Sequence, residues 1–258
     1  MKGAIHIHTD YSSDGNCSIE QLIQKSKELR YDFLIITDHF EDVVDPRQQQ
    51  KIIDDCNKLN NESNGPKVIP GIEVRFKDKA HILVIGIRNP IYQSDVQSIK
   101  SLRNCAKAQG ALVGVAHLSY KFNLSVRELG FFDFIEGWNI RHDMKLPSHK
   151  HLRVAQGLPS CCILGGLDLH RINELGSLWV ETEGNDVIEA IKQKKIITKT
   201  HLFALDSSGY IIGNKSAYFV LYLPYFCVKY FVNLLGQLIL VTGWNPPETL
   251  KKLKRRII

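Results

Sequence analysis

Short apolar runs recur along the first 200 residues of the chain, and helix signals separate them. The runs are rich in Ile, Val, Leu and Phe, and they cover residues 3–7, 33–37, 67–74, 81–87, 111–116, 133–138 and 161–165. Strands that alternate with helices favour a mostly parallel sheet covered by helices. A chain of 258 residues with 44% hydrophobic composition can bury such a core. We therefore predict an α/β fold, and seven principal strands in one domain favour a barrel over an open sheet.

The helix signals lie between these runs. Ser18 with Gln21 forms a capping box before an amphipathic stretch to about Leu29. Asp45 before Pro46 is typical of an N-cap followed by the first helical residue. Further helices are predicted over 94–109 (stopped by Gly110), after the Ser125–Glu128 capping box, over 148–156, and over 185–194, which begins at Asn185. A last strand is expected near 196–199.

Residues of metal-ligand type follow the apolar runs. His6 and His8 end the first run, His39 the second, Glu73 the third and His117 the fifth, while Asp168 and His170 follow the seventh. In α/β barrels the carboxyl ends of the strands meet at the edge that carries the active site. His, Asp and Glu are the residue types that bind zinc, manganese or iron. Their placement after five strands is hard to explain by packing and indicates a metal site.

The spacing of His6 and His8 has a geometric meaning. In an extended strand, residues i and i+2 point to the same side, so the two histidines can share one ion. The spacing alone is a weak indication. His149 and His151 have the same spacing, but they lie in a predicted helix, where such positions diverge, and we interpret them as surface residues. We likewise interpret His142 and His201 as ordinary residues rather than ligands.

Several motifs, in order, resemble one known family. The segments HIHTDYSSDG, ITDH, GIEV, AHILVIG, VAHLSY and GGLDLH, spread over residues 2–175, resemble the PHP (polymerase and histidinol phosphatase) superfamily of metal-dependent phosphoesterases. The resemblance implies a distorted seven-stranded β/α barrel with up to three divalent ions at its strand ends. We assign this domain to residues 1–200 and a C-terminal extension to residues 201–258.

The resemblance also implies which residues bind the ions, which would be Mn, Zn or Fe. A first ion would be held by His6, His8, Glu73 and Asp168, a second by Glu73 as a bridge with His81 and His117, and a third by Asp14, His39 and His170. Asp14 matches the family motif in position and is preferred over the nearby Asp10.

Two residues leave alternatives open. Asp38 either orients a ligand through a hydrogen bond or is a simple turn residue. His81 precedes its apolar run, so it reaches the common edge only if that strand is antiparallel or if His81 lies in the incoming loop.

The expected activity is hydrolysis of a phosphate ester through a metal-activated hydroxide. The substrate would be a small phosphomonoester, or a nucleotide or oligonucleotide end. Glu73, Asp168 and Arg141 are the candidate catalytic residues, and Arg141 either binds the phosphate or forms a surface salt bridge. An amidohydrolase-type metal hydrolase and a non-catalytic metal-binding PHP module are the alternatives. Glu73 and the Asp168–His170 pair favour the phosphoesterase over the amidohydrolase.

The C-terminal extension is apolar and then basic. Residues 201–258 carry seven Lys/Arg and two Asp/Glu, whereas the preceding residues are almost neutral, which argues against binding of extended duplex nucleic acid. SAYFVLYLPYFCV at 216–228, the apolar stretch 230–241 and KKLKRR at 251–256 fit packing on the domain, a homo-oligomer contact or an anionic membrane surface. Pro224 and Lys229 interrupt any membrane span. The absence of a signal-like N-terminus and of CxxC pairs favours a cytoplasmic protein, with peripheral membrane contact left open.

Overall fold

A computed structural model describes residues 1–62, 64–76, 80–118, 126–143, 146–158 and 160–212. Its strands are β1 Lys2–Ile7, β2 Phe33–Ile36, β3 Asp38–His39, β4 Lys67–Ile69, β5 Gly71–Phe76, β6 Ala80–Ile85, β7 Leu112–Val115, β8 Phe134–Asn139, β9 Cys162–Gly166, β10 Trp179–Thr182, β11 Ile196–Lys199, β12 Ala204–Asp206 and β13 Ile211–Ile212. Its α-helices are α1 Ile19–Glu28, α2 Pro46–Glu62, α3 Ile99–Ala108, α4 Val126–Leu129, α5 Ile140–Asp143, α6 His149–Gln156 and α7 Val187–Lys192. Asp95–Gln97 and Ile172–Glu174 form short 3-10 helices.

The chain divides into two compact units, Met1–Tyr210 and Ile211–Ile258. The predicted boundary after residue 200 falls before β12, which pairs with β11 within the first unit. In the second unit Ile211–Ile212 forms β13, and the remaining residues lie outside the described part of the chain. The predictions for 216–228, 230–241 and 251–256 therefore concern residues that the structure does not describe. Of the described helices, none has the length and apolarity that crossing a bilayer needs.

The first unit is a mixed α/β fold with two sheets. One sheet has the order β12–β11–β10–β1–β2–β4, with β1, β2 and β4 parallel and the other pairs antiparallel. The other has the order β3–β5–β6–β7–β8–β9, in which β6 is antiparallel to both neighbours.

The predicted closed barrel is not confirmed, because the described strands pair into two open sheets. Pro70 separates β4 from β5 and has no N–H to donate, which interrupts the ladder there. An isolated parallel bridge between Ile7 and Leu169 joins the end of β1 to the segment after β9.

Local sequence explains most helix starts. Ser18 and Gln21 make the predicted capping box in front of α1, and α2 begins at Pro46 as expected. The helix predicted from Asn185 begins at Val187 instead, because the Asp186 side chain accepts hydrogen bonds from the N–H groups of Ile188 and Glu189. Ser125, expected to cap α4, lies outside the described residues.

The apolar core lies beneath the strand ends that carry the ligand-type residues. Ile5, Phe33, Leu83, Phe134 and Leu164 are fully buried in it, and α7 contributes Ile191. The five cysteines of the described residues are free thiols, and four of them are buried. The fully packed strands hold the residues that follow them in fixed positions.

Candidate metal centre

The two histidines near the end of β1 do not lie in regular extended backbone. His6 has a φ of 67°, and the pairing of β1 with β2 shifts register between Ile5 and Ile7. The strand ends at Ile7, so His8 follows it. The extended-strand reason given for a shared ion is therefore wrong, because a bulge turns His6. The two rings nevertheless lie near each other, with centroids 5.1 Å apart.

Four buried side chains meet at this point, and we call them the inner cluster: His6, His8, Glu73 and Asp168. His8 Nε2 lies 3.3 Å from Glu73 Oε2 and 3.5 Å from Asp168 Oδ1, and His6 Nε2 lies 3.6 Å and 3.7 Å from the same two oxygens. Ligands at about 2.1 Å from a tetrahedral zinc ion are about 3.4 Å apart. These four distances between a histidine nitrogen and a carboxylate oxygen are close to the spacing of ligands around one divalent ion.

The inner cluster also leaves nitrogen atoms unsatisfied. Nε2 of His6 and Nε2 of His8 are buried and have no hydrogen-bond partner. A buried polar atom without a partner costs about 1–3 kcal/mol, so native proteins rarely keep one without a reason. A divalent ion would satisfy both nitrogens and neutralise the two carboxylates. These residues are therefore suited to bind an ion, because they have suitable donor atoms at suitable distances and two nitrogens that lack a hydrogen-bond partner.

A second cluster shares Glu73 with the first and adds His81 and His117. His81 Nδ1 lies 2.8 Å and His117 Nε2 3.5 Å from Glu73 Oε1, whereas Glu73 Oε2 faces the inner cluster. His81 is the second residue of β6, and the antiparallel direction of that strand brings it to the site. This is the first of the two arrangements that the sequence left open. The carboxylate of Glu73 thus has the geometry of a bridge between two donor groups.

The outer cluster consists of Asp14, His39 and His170, and it lies closer to solvent. Asp14 Oδ2 is 2.9 Å from His170 Nε2 and 3.3 Å from His39 Nε2, and the Asp14 side chain is 49% exposed. His8 belongs to the same group of potential ligands. Asp10, the competitor of Asp14, is exposed and belongs to none of the ligand groups among the described residues.

Asp38 supports the loop that carries the outer ligands. Its buried carboxylate accepts hydrogen bonds from Thr9 N at 2.7 Å, Thr9 Oγ1 at 2.8 Å and Ser12 Oγ at 2.8 Å. The Ser12 hydroxyl in turn accepts from His39 N at 2.9 Å and lies 3.4 Å from His8 Nδ1. Burial raises the pKa of Asp38, and the hydrogen bonds from Thr9 and Ser12 oppose that rise. Asp38 therefore acts on the histidines through Ser12 rather than as a simple turn residue.

Glu136 is a site residue that the sequence analysis missed. It is fully buried, and its Oε1 lies 2.8 Å from His6 Nδ1. Its Oε2 accepts hydrogen bonds from His117 N at 2.9 Å and Asn139 Nδ2 at 3.0 Å. A carboxylate on Nδ1 fixes the imidazole tautomer so that Nε2 is available to a metal. The indication in the sequence is a charged residue in the middle of the apolar run FDFIEGWN.

Gly166 makes room for this carboxylate. A Cβ at Gly166 would lie 1.8 Å from Glu136 Oε1 and 2.5 Å from Glu136 Cδ. Since Glu136 is buried and holds three groups, it has little freedom to move away. Gly166, the second glycine of GGLDLH, is thus needed because the buried carboxylate of Glu136 comes so close to β9.

Arg141 and His142 follow β8 in the short helix α5. The Arg141 side chain is 45% exposed, with Nη1 3.9 Å from Glu174 Oε1. His142, which the sequence analysis interpreted as ordinary, places Nε2 3.3 Å from Asp168 Oδ2 and its ring centroid 4.2 Å from that of His117. His142, His117 and Asp168 form a further group of potential ligands.

Three histidines that were interpreted as surface or ordinary residues remain. The side chain of His149 lies outside the described part of the structure, and one of the other two differs from expectation. His151 is not a free surface residue, because its Nδ1 lies 3.1 Å from the buried carboxylate of Asp143. His201 is exposed, and its ring centroid lies 5.3 Å from that of Trp179, away from the ligand groups.

Opposed electrostatic effects act on the buried groups. Burial lowers the pKa of His6, but Glu136, Glu73 and Asp168 raise it well above its usual value. Burial raises the pKa of Glu73, yet the nearby histidines, His6 first, hold it well below its usual range. Asp168 behaves in the same way. The carboxylates are therefore ionised and depend on nearby positive charge.

The outer histidine His39 responds to the same carboxylates. Burial lowers its pKa, but Glu73 and Asp14 raise it to about 9. For His8, in contrast, burial dominates and lowers the pKa. Neutral His8 has the protonation state that a metal ligand needs.

Comparison with protein-family models assigns residues 4–193 to the PHP domain. Because this match covers most of the chain, the protein belongs to the PHP family. PHP domains are in general metal-dependent hydrolases, and the clusters of His, Asp and Glu are compatible with binding of divalent ions. The chain is thus a metal-dependent hydrolase of the PHP family.

Solved structures resemble the fold at low sequence identity. PsfC from Pseudomonas syringae is 16% identical, with a TM-score of 0.54 over 71% of this chain and 83% of that chain. A candidate metal-dependent phosphoesterase from Bifidobacterium adolescentis is 15% identical, with a TM-score of 0.46 over 66% and 87%. An amidohydrolase from Chromobacterium violaceum with bound sulfate is 13% identical, with a TM-score of 0.46 over 65% and 87%. A search of the curated proteins gives no match. The similarity to PsfC supports the fold alone.

Proposed function

We propose that the protein hydrolyses a phosphate ester, either a small phosphomonoester or the end of a nucleotide or oligonucleotide. The ligands would be the nine predicted residues, and the ions would be manganese, zinc or iron. One observation carries the proposal: Glu73 presents Oε2 to His8 at 3.3 Å and Oε1 to His81 at 2.8 Å. A carboxylate shared in this way supports two adjacent ions, the arrangement suited to displacement at phosphorus.

The chain's own residues would orient the ligands. Glu136 accepts the Nδ1 proton of His6, and the carbonyl oxygen of Asp168 accepts that of His170 at 2.8 Å. Each contact directs the other ring nitrogen toward a cluster. Divalent ions bound there would polarise a phosphate oxygen and lower the pKa of a bound water. No serine or cysteine nucleophile is then required.

Arg141 is the proposed phosphate-binding residue. Its guanidinium is partly exposed, and its distance of 3.9 Å from Glu174 leaves donors available to an incoming anion. If Arg141 binds ground and transition states equally, Arg141→Ala raises KM and leaves kcat unchanged. Arg153→Ala, which removes an exposed arginine from α6, is the matched control and should change neither constant.

The test is an activity panel on metal-stripped protein reconstituted separately with manganese, zinc and iron. The panel holds phosphomonoesters, bis(p-nitrophenyl) phosphate as a diester, and amide and lactone substrates for an amidohydrolase. Release of phosphate or p-nitrophenol that depends on metal and is lost in His8→Ala supports the proposal. Hydrolysis of amides or lactones alone would identify an amidohydrolase. A protein that binds its ions but hydrolyses none of these compounds would be a non-catalytic PHP module.

We also propose a role for the C-terminal extension at residues 201–258, in a homo-oligomer contact or at an anionic membrane surface. The uncharged stretch 216–228 and the basic run 251–256 support this. Sizing chromatography of the intact chain tests the first possibility, and co-sedimentation with anionic and zwitterionic vesicles tests the second. A monomer that ignores anionic vesicles would contradict both.

A further inference from the structure

We propose that His142 is an additional metal ligand, which binds a divalent ion together with His117 and Asp168. This group shares His117 with the second cluster and Asp168 with the inner cluster. The inference rests on metal binding at the clusters, and it does not depend on whether the substrate is a phosphate ester. It extends the centre to ten ligand residues.

The contacts of Asp168 are the first observation that supports His142 as a ligand. Its Oδ1 lies 3.5 Å from His8 Nε2 and 3.7 Å from His6 Nε2, whereas its Oδ2 lies 3.3 Å from His142 Nε2. The two oxygens of this buried carboxylate thus face different histidines, as the two oxygens of Glu73 do. A separation of 3.3 Å is close to the roughly 3.4 Å expected for two ligands of one tetrahedral ion.

The position of His117 is the second observation that supports His142 as a ligand. Its ring faces His142 at a centroid distance of 4.2 Å with an interplanar angle of 36°, and it faces His81 at 4.8 Å. One donor atom from each of His117, His142 and Asp168 lies within 4.8 Å of the others. His142 therefore approaches two residues that already belong to the candidate centre.

The backbone of His142 is held by the same network that orients the buried ligands. Asn139 Oδ1 accepts hydrogen bonds from the N–H groups of Arg141 and His142, each at 3.1 Å. Asn139 Nδ2 donates to Glu136 Oε2, and Glu136 also contacts His6 and the backbone of His117. One buried carboxylate thus positions residues of three donor groups.

A contact between His142 and Asp168 could also be a hydrogen bond that serves only to position Asp168. The two roles differ in what happens to metal binding. Loss of a ligand changes the coordination of the ion, whereas loss of a positioning contact leaves its ligand set intact. The His142 side chain is 43% exposed, so its replacement should leave the fold unchanged.

The experiment compares wild-type protein with His142→Ala, His142→Gln and His201→Ala. His201 is an exposed histidine outside the ligand groups, which makes its replacement the matched control. Each protein is stripped of metal, titrated with cobalt(II) under a competing chelator, and followed by its d–d absorption and by bound metal per chain. Circular dichroism of the stripped proteins checks folding.

We expect His142→Ala and His142→Gln to change the cobalt spectrum and to lower the affinity for at least one ion, because that ion loses a ligand. A loss of about 10–100-fold in affinity with an unchanged spectrum is the result expected for a positioning contact and would overturn the inference. His201→Ala should match wild type. Wild-type affinity and spectrum in both His142 variants would overturn the inference while leaving the other clusters in place. A wild-type protein that binds no cobalt would overturn both the inference and the proposed metal centre.

Discussion

The inner and outer clusters use the same residue types in different surroundings. The inner side chains are nearly inaccessible: His6 and His8 have no exposed surface, Glu73 1% and Asp168 5%. In the outer cluster the Asp14 side chain is 49% exposed and that of His39 19%. Water can solvate Asp14, but it cannot solvate Glu73 or Asp168.

This difference determines how much each cluster needs an ion. Removing a charge from water is expensive, and leaving a buried charge without its partner costs about 3–5 kcal/mol. Exposed ion pairs, in contrast, contribute about 0–1 kcal/mol. We therefore infer that the inner ion is bound tightly and the outer ion exchanges more readily.

The largest effect is expected from Glu73→Ala, because Glu73 contacts all three clusters. Its carboxylate oxygens lie within 3.6 Å of five histidines. We expect loss of more than one ion per chain. We also expect at least roughly a 1000-fold loss of activity, which corresponds to about 4 kcal/mol. Turnover together with metal analysis measures both. Near-normal activity with full metal content would show that the ligand assignment is wrong.

A smaller effect is expected from Glu136→Gln, which keeps the size of the side chain but removes its charge. Glu136 lies 2.8 Å from His6 Nδ1, so the change weakens the orientation of one inner ligand. We expect a loss of about 10–100-fold in affinity for the inner ion. Competition with a chelator measures it. Glu189→Gln on the exposed face of α7 is the control, and equal affinities in the two variants would contradict a role for Glu136.

Glu73 and Glu136 show which parts of the site can be predicted from the sequence and which cannot. Glu73 follows an apolar run within a recognisable motif, so local pattern and family resemblance were enough to select it. Glu136 contacts His6, which lies 130 positions away in the chain, and His142 contacts Asp168. No local sequence pattern predicts either contact. The bulge at His6 and the division into two sheets at Pro70 likewise depend on strand pairing. Periodicity and caps, which are local, predicted most strands and most helices. They did not predict β10 and β12, and the single run predicted over 67–74 forms β4 and β5 in different sheets.

Asp14→Asn should affect the outer cluster alone. Asp14 is half exposed, so its replacement leaves no buried charge without a partner. We expect loss of about one ion per chain, with less than about a tenfold loss in affinity at the inner cluster. Metal content after dialysis measures this, and Asp10→Asn serves as the control on the same loop. If Asp10→Asn released the ion and Asp14→Asn did not, the choice between the two aspartates would be reversed.

The smallest effect concerns pH. The pKa of His39 is raised to about 9 by Glu73 and Asp14 against the opposing effect of burial. In metal-stripped protein this protonated histidine stabilises the fold fully below about pH 6.5, and the contribution is lost as pH rises through about 9. A bound ion needs neutral His39, so metal-loaded protein should not show this loss. Urea unfolding of both forms from pH 6 to 10 measures the difference between their free energies of unfolding. This difference should increase by roughly 1–2 kcal/mol as pH rises. A difference that does not change with pH would contradict the raised pKa of His39.

The proposed metal centre is tested by the number of ions bound per chain at equilibrium. Wild-type protein would be stripped, reconstituted separately with manganese, zinc or iron, and dialysed before elemental analysis. We expect two to three ions per chain with at least one of these metals, and we expect a chelator to remove the inner ion last. Less than one ion per chain with every metal would contradict the proposed metal centre.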